Sequence, residues 1–190
     1  GRTISGHNAK YVNSPQTKLF NKSRLLYGYH LAKEQIYKKN QIIVCEGYLD
    51  VIMLHQAGFN TAVATLGTAL TVEHLPLLRR GEPKVILAYD GDKAGLAAAF
   101  KASVMLSQSE FEGGVIIFAD GLDPADMVHN GKISELNEIF SNPISYIPYS
   151  INYIVSKYDI NEPNQKQKAL TEANEYLKTL SLLNQDEYKR

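Results

Sequence analysis

Four short apolar segments alternate with helical patterns through the middle of the chain, and this alternation constrains the fold most strongly. The segments are QIIVC (41–45), TAVAT (61–65), KVILAYD (84–90) and GVIIFAD (114–120). The stretches between them, 48–58, 71–81 and 93–107, have the residue spacing of helices. Continuous apolar strands joined by helices are typical of a parallel sheet covered on both faces. The sequence therefore predicts an open α/β sheet whose ligand site lies at the carboxyl ends of the strands.

The segments on either side of this pattern are predicted to be helical. Apolar residues recur at helical spacing from about residue 24 to residue 39, which indicates an amphipathic helix. Beyond Asp123 the strand patterns stop, and helices are predicted at 132–140, 143–158 and 164–183. The predicted organisation has three parts. Residues 1–40 are rich in basic side chains and contain a helix, residues 41–131 form a sheet domain, and residues 132–190 form a small helical subdomain. Because the chain begins without Met, we interpret it as the interior of a longer protein.

Composition and charge narrow the class of protein. The 190-residue chain has one cysteine, no secretory signal pattern, no long apolar run and no Cys/His cluster with zinc spacing, so we expect a cytoplasmic protein without disulfides or a zinc site. The net charge is zero, but residues 1–45 carry +7 and residues 46–150 carry −7. A basic arm beside an acidic centre suits phosphate groups held next to a metal ion. Two ordinary solvated faces would give the same charges.

Carboxylates follow three of the four predicted strands. Glu46 comes directly after QIIVC, Asp90 ends KVILAYD and is followed by Asp92, and Asp123 lies just beyond the fourth strand. Gly91 allows a tight turn, so that Asp90 and Asp92 can project into one volume. Two carboxylates held so close repel each other unless a proton or a cation lies between them. Hard oxygen ligands favour Mg²⁺ or Mn²⁺, and such ions offset the charge that develops in phosphoryl transfer.

The same acids have structural explanations. Asp90 and Asp92 precede the helix that starts near Lys93, where Asp is a favoured N-cap, and Asp92 can be cap and ligand at once. Asp50 is either a surface acid that stabilises a helix dipole or a further carboxylate of the metal cluster. The residues by themselves leave both alternatives open.

Four segments resemble the Toprim domain, which bacterial primases share with type IA and type II topoisomerases and with some nucleases and recombination proteins. They are IIVCEGYLDVIML, AVATLGTALT, ILAYDGDKAG and DGLDPADMV. The Toprim pattern is a Glu at a strand end and a DxD motif on a later strand, as Glu46 and Asp90 with Asp92 stand here. Upstream, KYVNSPQTKLFNKSRLLYG (10–28) is similar to the segment that precedes Toprim in DnaG-type bacterial primases. The resemblance is therefore to the catalytic RNA polymerase core of that family.

This resemblance implies roles for the matching residues. Glu46 would be a metal ligand or an acid–base group, Asp90 and Asp92 would bind Mg²⁺ or Mn²⁺, and the acidic cluster would be completed by Asp123 and Asp50. Contacts to nucleotide and nucleic acid would come from Arg2, Lys10, Asn13 and Lys22. Many primases have DPD in the last acidic motif, whereas this chain has Ala125 in the place of the second acid. A metal role for Asp126 would then need a different turn of the loop.

The resemblance also implies an activity and partners. The activity is template-directed synthesis of RNA primers from ribonucleoside triphosphates on single-stranded DNA, in the replisome of a bacterial cytoplasm. A replicative helicase and zinc would each bind a domain outside this chain, and no membrane partner is expected. Cleavage of DNA strands by a Toprim nuclease or topoisomerase is the alternative. A third possibility is that the chain alone binds metal and nucleotide without synthesising primers.

Overall fold

A mixed six-stranded sheet forms the centre of the computed structural model, which describes residues 15, 17, 20–118 and 121–188. Within those residues the strands are β1 (Leu26–Tyr27), β2 (Gln41–Cys45), β3 (Ala62–Thr65), β4 (Lys84–Ala88), β5 (Gly113–Ile116) and β6 (Ile144–Ser145). Their order is β1-β3-β2-β4-β5-β6. The central strands β3, β2, β4 and β5 are parallel, and β1 and β6 pair antiparallel at the two edges. The predicted parallel α/β sheet is confirmed.

Helices cover the sheet and continue beyond it. They are α1 (Tyr29–Lys39), α2 (Tyr48–Gln56), a 3₁₀ turn (Val72–His74), α3 (Leu75–Leu78), α4 (Lys93–Gln108), α5 (Pro124–His129), α6 (Ile133–Ser141), α7 (Tyr146–Ser156), α8 (Pro163–Lys178) and α9 (Leu182–Tyr188). None of the helices in the described part of the chain combines the length and the apolar composition needed to cross a bilayer.

Both faces of the sheet are buried, which explains the continuous apolar strands. Successive side chains of a strand point to opposite faces. Val44 and Leu87 therefore pack on one face with residues of α1, α3, α4 and α7, whereas Ile43 and Ile86 pack on the other with residues of α2, α5 and α6. All four strand residues are at most 1% exposed. The central strands are thus fixed by burial on both sides.

Several predicted boundaries are wrong. Strand β4 ends at Ala88 rather than at residue 90, and β5 ends at Ile116 rather than at residue 120. The helix predicted over 71–81 is a 3₁₀ turn followed by the single turn of α3. Apolar residues continue past the last ladder hydrogen bond, so the pattern marks burial rather than pairing.

The two edge strands were not predicted. Leu26–Tyr27 pairs with β3, and the helix expected from about residue 24 begins only at Tyr29. Ile144–Ser145 pairs with β5, in a segment predicted to be wholly helical. A two-residue strand has no periodicity of its own, so only its partner defines it.

The carboxyl-terminal helices continue from this sheet. Tyr146 and Tyr149 of α7 belong to the first core face, while Ile154 packs with Tyr176 and Leu177 of α8 in a separate cluster. The division of the chain into a sheet domain and a helical subdomain stays a prediction.

Candidate metal centre

Glu46 and Asp90 lie at the same end of the sheet, where the carboxyl ends of two neighbouring parallel strands meet. Below, "acidic edge" and "carboxylate edge" mean this end. Cys45, the last residue of β2, pairs with Ala88, the last residue of β4. Adjacent strands lie about 4.8 Å apart. Glu46 stands one residue beyond the end of β2, and Asp90 two residues beyond the end of β4. The sheet therefore sets the backbones of these two acids side by side.

The Glu46 carboxyl group is half-buried and electrostatically strained. Its Oε1 atom is buried and has no hydrogen-bond partner among the described residues. The pKa of Glu46 is raised to about 7, mainly by burial, then by the charge of Asp90 and to a smaller extent by that of Asp92, while the Asp90 backbone N–H lowers it. A carboxyl group in this setting gains from either a proton or a cation.

Glycine lets helix α4 approach Glu46 closely. A Cβ atom at Gly95 would lie 2.2 Å from the Asp90 carbonyl oxygen and 2.9 Å from Glu46 Oε1. At Gly91 a Cβ atom would lie 2.4 Å from the Phe118 carbonyl oxygen, and the φ angle of Gly91 is not left-handed. Gly91 therefore provides space for a neighbouring strand end, and not the special turn that the sequence suggested.

Asp92 and Asp123 cap helices at this edge. The Oδ1 atom of Asp92 accepts a hydrogen bond of 2.7 Å from the Gly95 N–H at the start of α4. The Oδ1 atom of Asp123 accepts one of 2.6 Å from the Asp126 N–H at the start of α5. Each bond involves one oxygen of a carboxylate that has two. The capping explanation holds for Asp92, and it does not exclude a second role.

Asp50 is buried, 5% exposed, and is not the surface acid that one alternative assumed. Its Oδ2 atom accepts a 2.9 Å hydrogen bond from the Gly47 N–H, and its carboxyl group also accepts from the Ala125 N–H. Burial, followed by the charges of Asp123 and Asp90, raises its pKa to about 7. Ala125, which replaces an expected acid, thus contributes a backbone donor to the site. Asp126 is exposed.

The acids form two coupled groups that share Asp90. Glu46 interacts with Asp90 and Asp92, and Asp50 interacts with Asp123 and Asp90. No three metal-ligating side chains among the described residues are close enough to hold an ion by themselves. Mg²⁺ commonly keeps several waters and takes only one or two carboxylates from the protein. These carboxylates offer only oxygen donors and repel one another, and Glu46 Oε1 is buried without a hydrogen-bond partner among the described residues, so the site fits such a cation.

The cysteine beside this centre is not suited to metal binding. Cys45 is completely buried in the sheet, directly before Glu46. Burial and the surrounding carboxylates raise the pKa of its thiol well above the usual value. Since only a thiolate is a good metal ligand, the donors available here are oxygens.

The predicted basic contacts are only partly described. Arg2, Lys10 and Asn13 lie outside the described residues. Lys22 is half-buried and shortly precedes β1.

A cavity of about 250 Å³ adjoins Glu46. It is also lined by Thr68 and Tyr89, whose hydroxyl oxygens are buried without a partner among the described residues. A larger cavity of about 540 Å³ lies at the amino ends of β4 and β5, near Gly113 and Tyr146. The carboxylates, and not the larger cavity, mark the candidate site, because they carry the chemistry.

Sequence reasoning missed Gly95, Thr71 and His74. Gly95 gave no signal, since its role depends on how closely α4 approaches Glu46. Thr71 and His74 form a T-x-x-H pattern that matches the S/T-x-x-E/Q spacing of a capping box, with His in place of the acid. That spacing was a usable signal.

A strand-end Glu beside a DxD pair on a parallel sheet defines a Toprim-domain protein, and residues 40–121 match the family model "Toprim domain". Residues 1–33 match the model "DNA primase catalytic core, N-terminal domain". The chain is 58% identical over its whole length to the DNA primase of Helicobacter pylori, and it spans 34% of that relative. It therefore belongs to the family of DnaG-type bacterial DNA primases and corresponds to part of their catalytic core.

Solved structures agree with this assignment. The RNA polymerase domain of Mycobacterium tuberculosis primase DnaG has a TM-score of 0.86 and 32% identity, covering 100% of this chain and 63% of that one. A DnaG primase catalytic domain bound to single-stranded DNA has a TM-score of 0.82 and 31% identity, covering 97% and 60%. The similarity extends over the whole chain and not only over the Toprim residues. A nuclease or topoisomerase is therefore less well supported.

Proposed function

We propose that this chain provides the metal-binding catalytic centre of a DNA primase, a DNA-directed RNA polymerase that makes RNA primers from ribonucleoside triphosphates on single-stranded DNA. The observation that carries the proposal is the pair of acids, Glu46 and Asp90, at the ends of adjacent parallel strands. Whole-length similarity to a DNA primase selects this reaction among those of Toprim proteins.

Glu46, Asp90 and Asp92 are the proposed catalytic and metal-binding residues, with Asp123 and Asp50 as outer carboxylates. Divalent Mg²⁺ or Mn²⁺ would offset the negative charge of the triphosphate and of the reacting phosphate. The charge of Asp90 raises the pKa of both groups: it is the main neighbouring charge for Glu46, and it comes second to Asp123 for Asp50. Glu46, with a pKa near 7, can take up or release a proton at neutral pH.

The proposed substrate contacts are basic. Lys22, together with Arg2, Lys10 and Asn13, would neutralise phosphate oxygens of the triphosphate and of the template backbone. A shallow basic groove beside the acidic edge would hold single-stranded DNA mainly through its phosphates. The related structure with bound single-stranded DNA supports such a partner.

The decisive test is Asp90→Asn in a primase that carries this chain in its catalytic core. We expect primer synthesis to fall by at least about a hundredfold, because charge stabilisation of the transition state is commonly worth that much. Mn²⁺ affinity, measured by electron paramagnetic resonance, should fall as well. The melting temperature should not decrease, because the substitution removes repulsion. Glu175→Gln, the same type of change on the exposed face of α8, is the matched control.

Retained primer synthesis by Asp90→Asn would contradict the proposal. Incubation with supercoiled plasmid and Mg²⁺ tests the alternative chemistry, since nicking or relaxation that depends on Asp90 would indicate strand cleavage. We expect neither.

The remaining partners belong to the whole enzyme. We propose that the chain alone binds metal and nucleotide without making primers, and that the enzyme acts in the replisome of a bacterial cytoplasm. A replicative helicase and zinc would bind domains outside this chain. Primer synthesis, measured for the chain alone and for a longer catalytic core, would test whether the chain needs the other domains.

A further inference from the structure

The segment around Lys22 lies at the same edge of the sheet as the acids. Strand β1 runs antiparallel to β3, and its first residue, Leu26, pairs with Thr65, the last residue of β3. Residues immediately before Leu26 therefore extend past the carboxyl end of β3. Cys45 of β2 pairs with Ala64, so Glu46 reaches this same level. Two strands, β3 and β2, lie between β1, into which residues 22–24 lead, and β4, which leads to Asp90.

Three contacts hold residues 22–24, the basic segment, against the turn that precedes α3. The Thr71 hydroxyl group, whose oxygen also lies 3.0 Å from His74 Nδ1, donates to the Ser23 carbonyl oxygen at 3.2 Å. The His74 ring atom Nε2 lies 3.1 Å from the Lys22 carbonyl oxygen. Arg24 Nε lies 3.6 Å from Glu73 Oε2, in an exposed ion pair. The two hydrogen bonds carry most of this attachment, since exposed ion pairs contribute little.

The hydrogen bonds of His74 define its tautomer. Its Nδ1 atom accepts from the Thr71 backbone N–H at 3.1 Å, so the proton is on Nε2, which donates to the Lys22 carbonyl oxygen. The side chain is 0% exposed, and burial lowers its pKa, which keeps the ring neutral. Both ring nitrogens are therefore used, one within the turn and one toward a residue 52 positions away.

A local capping role would explain only one of these bonds. Thr71 is the N-cap of the 3₁₀ turn, and His74 returns a hydrogen bond to it as in a capping box. That function needs Nδ1 alone. The bond from Nε2 contributes nothing to the turn. It satisfies the Lys22 carbonyl group in a segment that forms no ladder pair with any of the described residues.

We propose that His74 is a positioning residue, which clamps the basic segment beside the carboxylate edge so that its cationic side chains meet phosphate groups. The proposal rests on the proposed function. The phosphates can belong to the incoming triphosphate or to the DNA backbone, and both are charged partners for Lys22 and Arg24. His74 touches neither substrate; it acts through the Lys22 backbone.

Two substitutions separate the clamp from the local cap. In His74→Gln the amide nitrogen can replace Nε2 and keep the bond to Lys22, whereas in His74→Asn the shorter side chain can replace only Nδ1. We expect His74→Asn to raise the KM for ribonucleoside triphosphate or the Kd for a single-stranded oligonucleotide by about 5- to 50-fold, as loss of a buried hydrogen bond allows. The kcat should stay within about twofold, and His74→Gln should remain close to the parent primase.

Hydrogen exchange gives a readout that does not depend on activity. The backbone amides of residues 22–25 should exchange faster in His74→Asn than in His74→Gln. His55→Asn and His55→Gln are the matched controls, because His55 Nε2 lies 2.9 Å from the Ala62 carbonyl oxygen, away from the basic segment. They should change neither exchange at 22–25 nor KM. If the His74 variants do not fold, Thr71→Val removes only one hydroxyl group and should give the same exchange pattern.

The outcomes are distinguishable. Equal KM, Kd and exchange in His74→Asn and the parent, or a larger effect in His74→Gln, would overturn the clamp. A change in KM without a change in Kd for DNA assigns the phosphates to the triphosphate, and the reverse assigns them to the template. If the parent primase makes no primers while His74→Asn still exposes residues 22–25 and weakens oligonucleotide binding, the proposed function fails and the clamp stands.

Discussion

At the level of single residues, the site contains carboxyl groups whose ionised form is destabilised by burial and by neighbouring charges. Glu46 and Asp50 both have a pKa near 7, and in each case burial is the main cause, with a neighbouring carboxylate second. Backbone N–H groups of Asp90, Gly47 and Ala125 partly compensate. A metal-free site of this kind is strained at neutral pH, and a divalent cation relieves the strain.

The raised pKa of Asp50 predicts that the stability of the metal-free protein depends on pH. Its folded pKa of about 7 exceeds the ordinary value of 3.8, so between these pH values the folded state keeps a proton that the unfolded state releases. Stability is therefore lost as pH rises toward about 7. We expect the melting temperature of Asp50→Asn to exceed that of the parent increasingly from about pH 4 to about pH 7, by several degrees, and then to level off, since about 1 kcal/mol corresponds to roughly 2–4 °C.

Thermal unfolding in EDTA at several pH values measures this difference. His74 acts in the opposite direction, because its lowered pKa costs stability as pH falls below 6.5, but it is present in both proteins and cancels. Glu175→Gln should show a difference that does not change with pH. A constant or decreasing difference for Asp50→Asn would show that Asp50 is ionised without penalty.

At the level of secondary structure, two helix N-termini point at the acidic edge. Asp92 caps α4 and Asp123 caps α5, so each residue stabilises a helix with one oxygen. The same positions place negative charge at the positive end of a helix dipole. Capping and metal binding are therefore compatible here, and stability alone cannot reveal the second role.

A pair of substitutions at Asp92 separates these roles. Asn caps helices as well as Asp does, whereas Ala does not, so Asp92→Ala should lose about 1 kcal/mol of stability and Asp92→Asn very little. Both should weaken Mn²⁺ binding and primer synthesis, because both remove the charge. Melting temperatures and Mn²⁺ titration would measure the two effects. Full activity of Asp92→Asn would mean that Asp92 is only a cap; the equivalent pair at Asp123 serves as comparison.

At the level of the whole molecule, the carboxyl-terminal part completes the sheet. Strand β6 covers the edge of β5, where Gly114 lies so close that a Cβ atom would be 2.4 Å from the Ile144 carbonyl oxygen. Tyr146 donates a hydrogen bond to the Val85 carbonyl group, and Tyr149 donates one of 3.1 Å to the Leu96 carbonyl group. These contacts connect α7 to both β4 and α4.

Truncation after Asn142 should therefore unfold the sheet and not simply remove a subdomain. It would expose the edge of β5 and remove Tyr146 and Tyr149 from the core, which leaves a cavity. We expect loss of cooperative melting by circular dichroism and loss of dispersion in the amide NMR spectrum. Truncation after Leu180 removes only α9, which has no buried residue, and should be tolerated. A cooperative 1–142 protein would instead support an independent sheet domain.

The sequence by itself determined the parts that depend on local pattern. Burial on both faces leaves continuous apolar segments, so the four parallel strands and their helices were predictable, and parallel pairing put Glu46 and Asp90 at one edge. Only the tertiary structure decided the rest. The edge strands β1 and β6 exist because a partner lies beside them, the burial of Asp50 follows from α5 packing on α2, and the use of both His74 nitrogens depends on Lys22, 52 residues away. Contacts between distant segments leave no periodic pattern of residues in the sequence, so the sequence alone does not predict them.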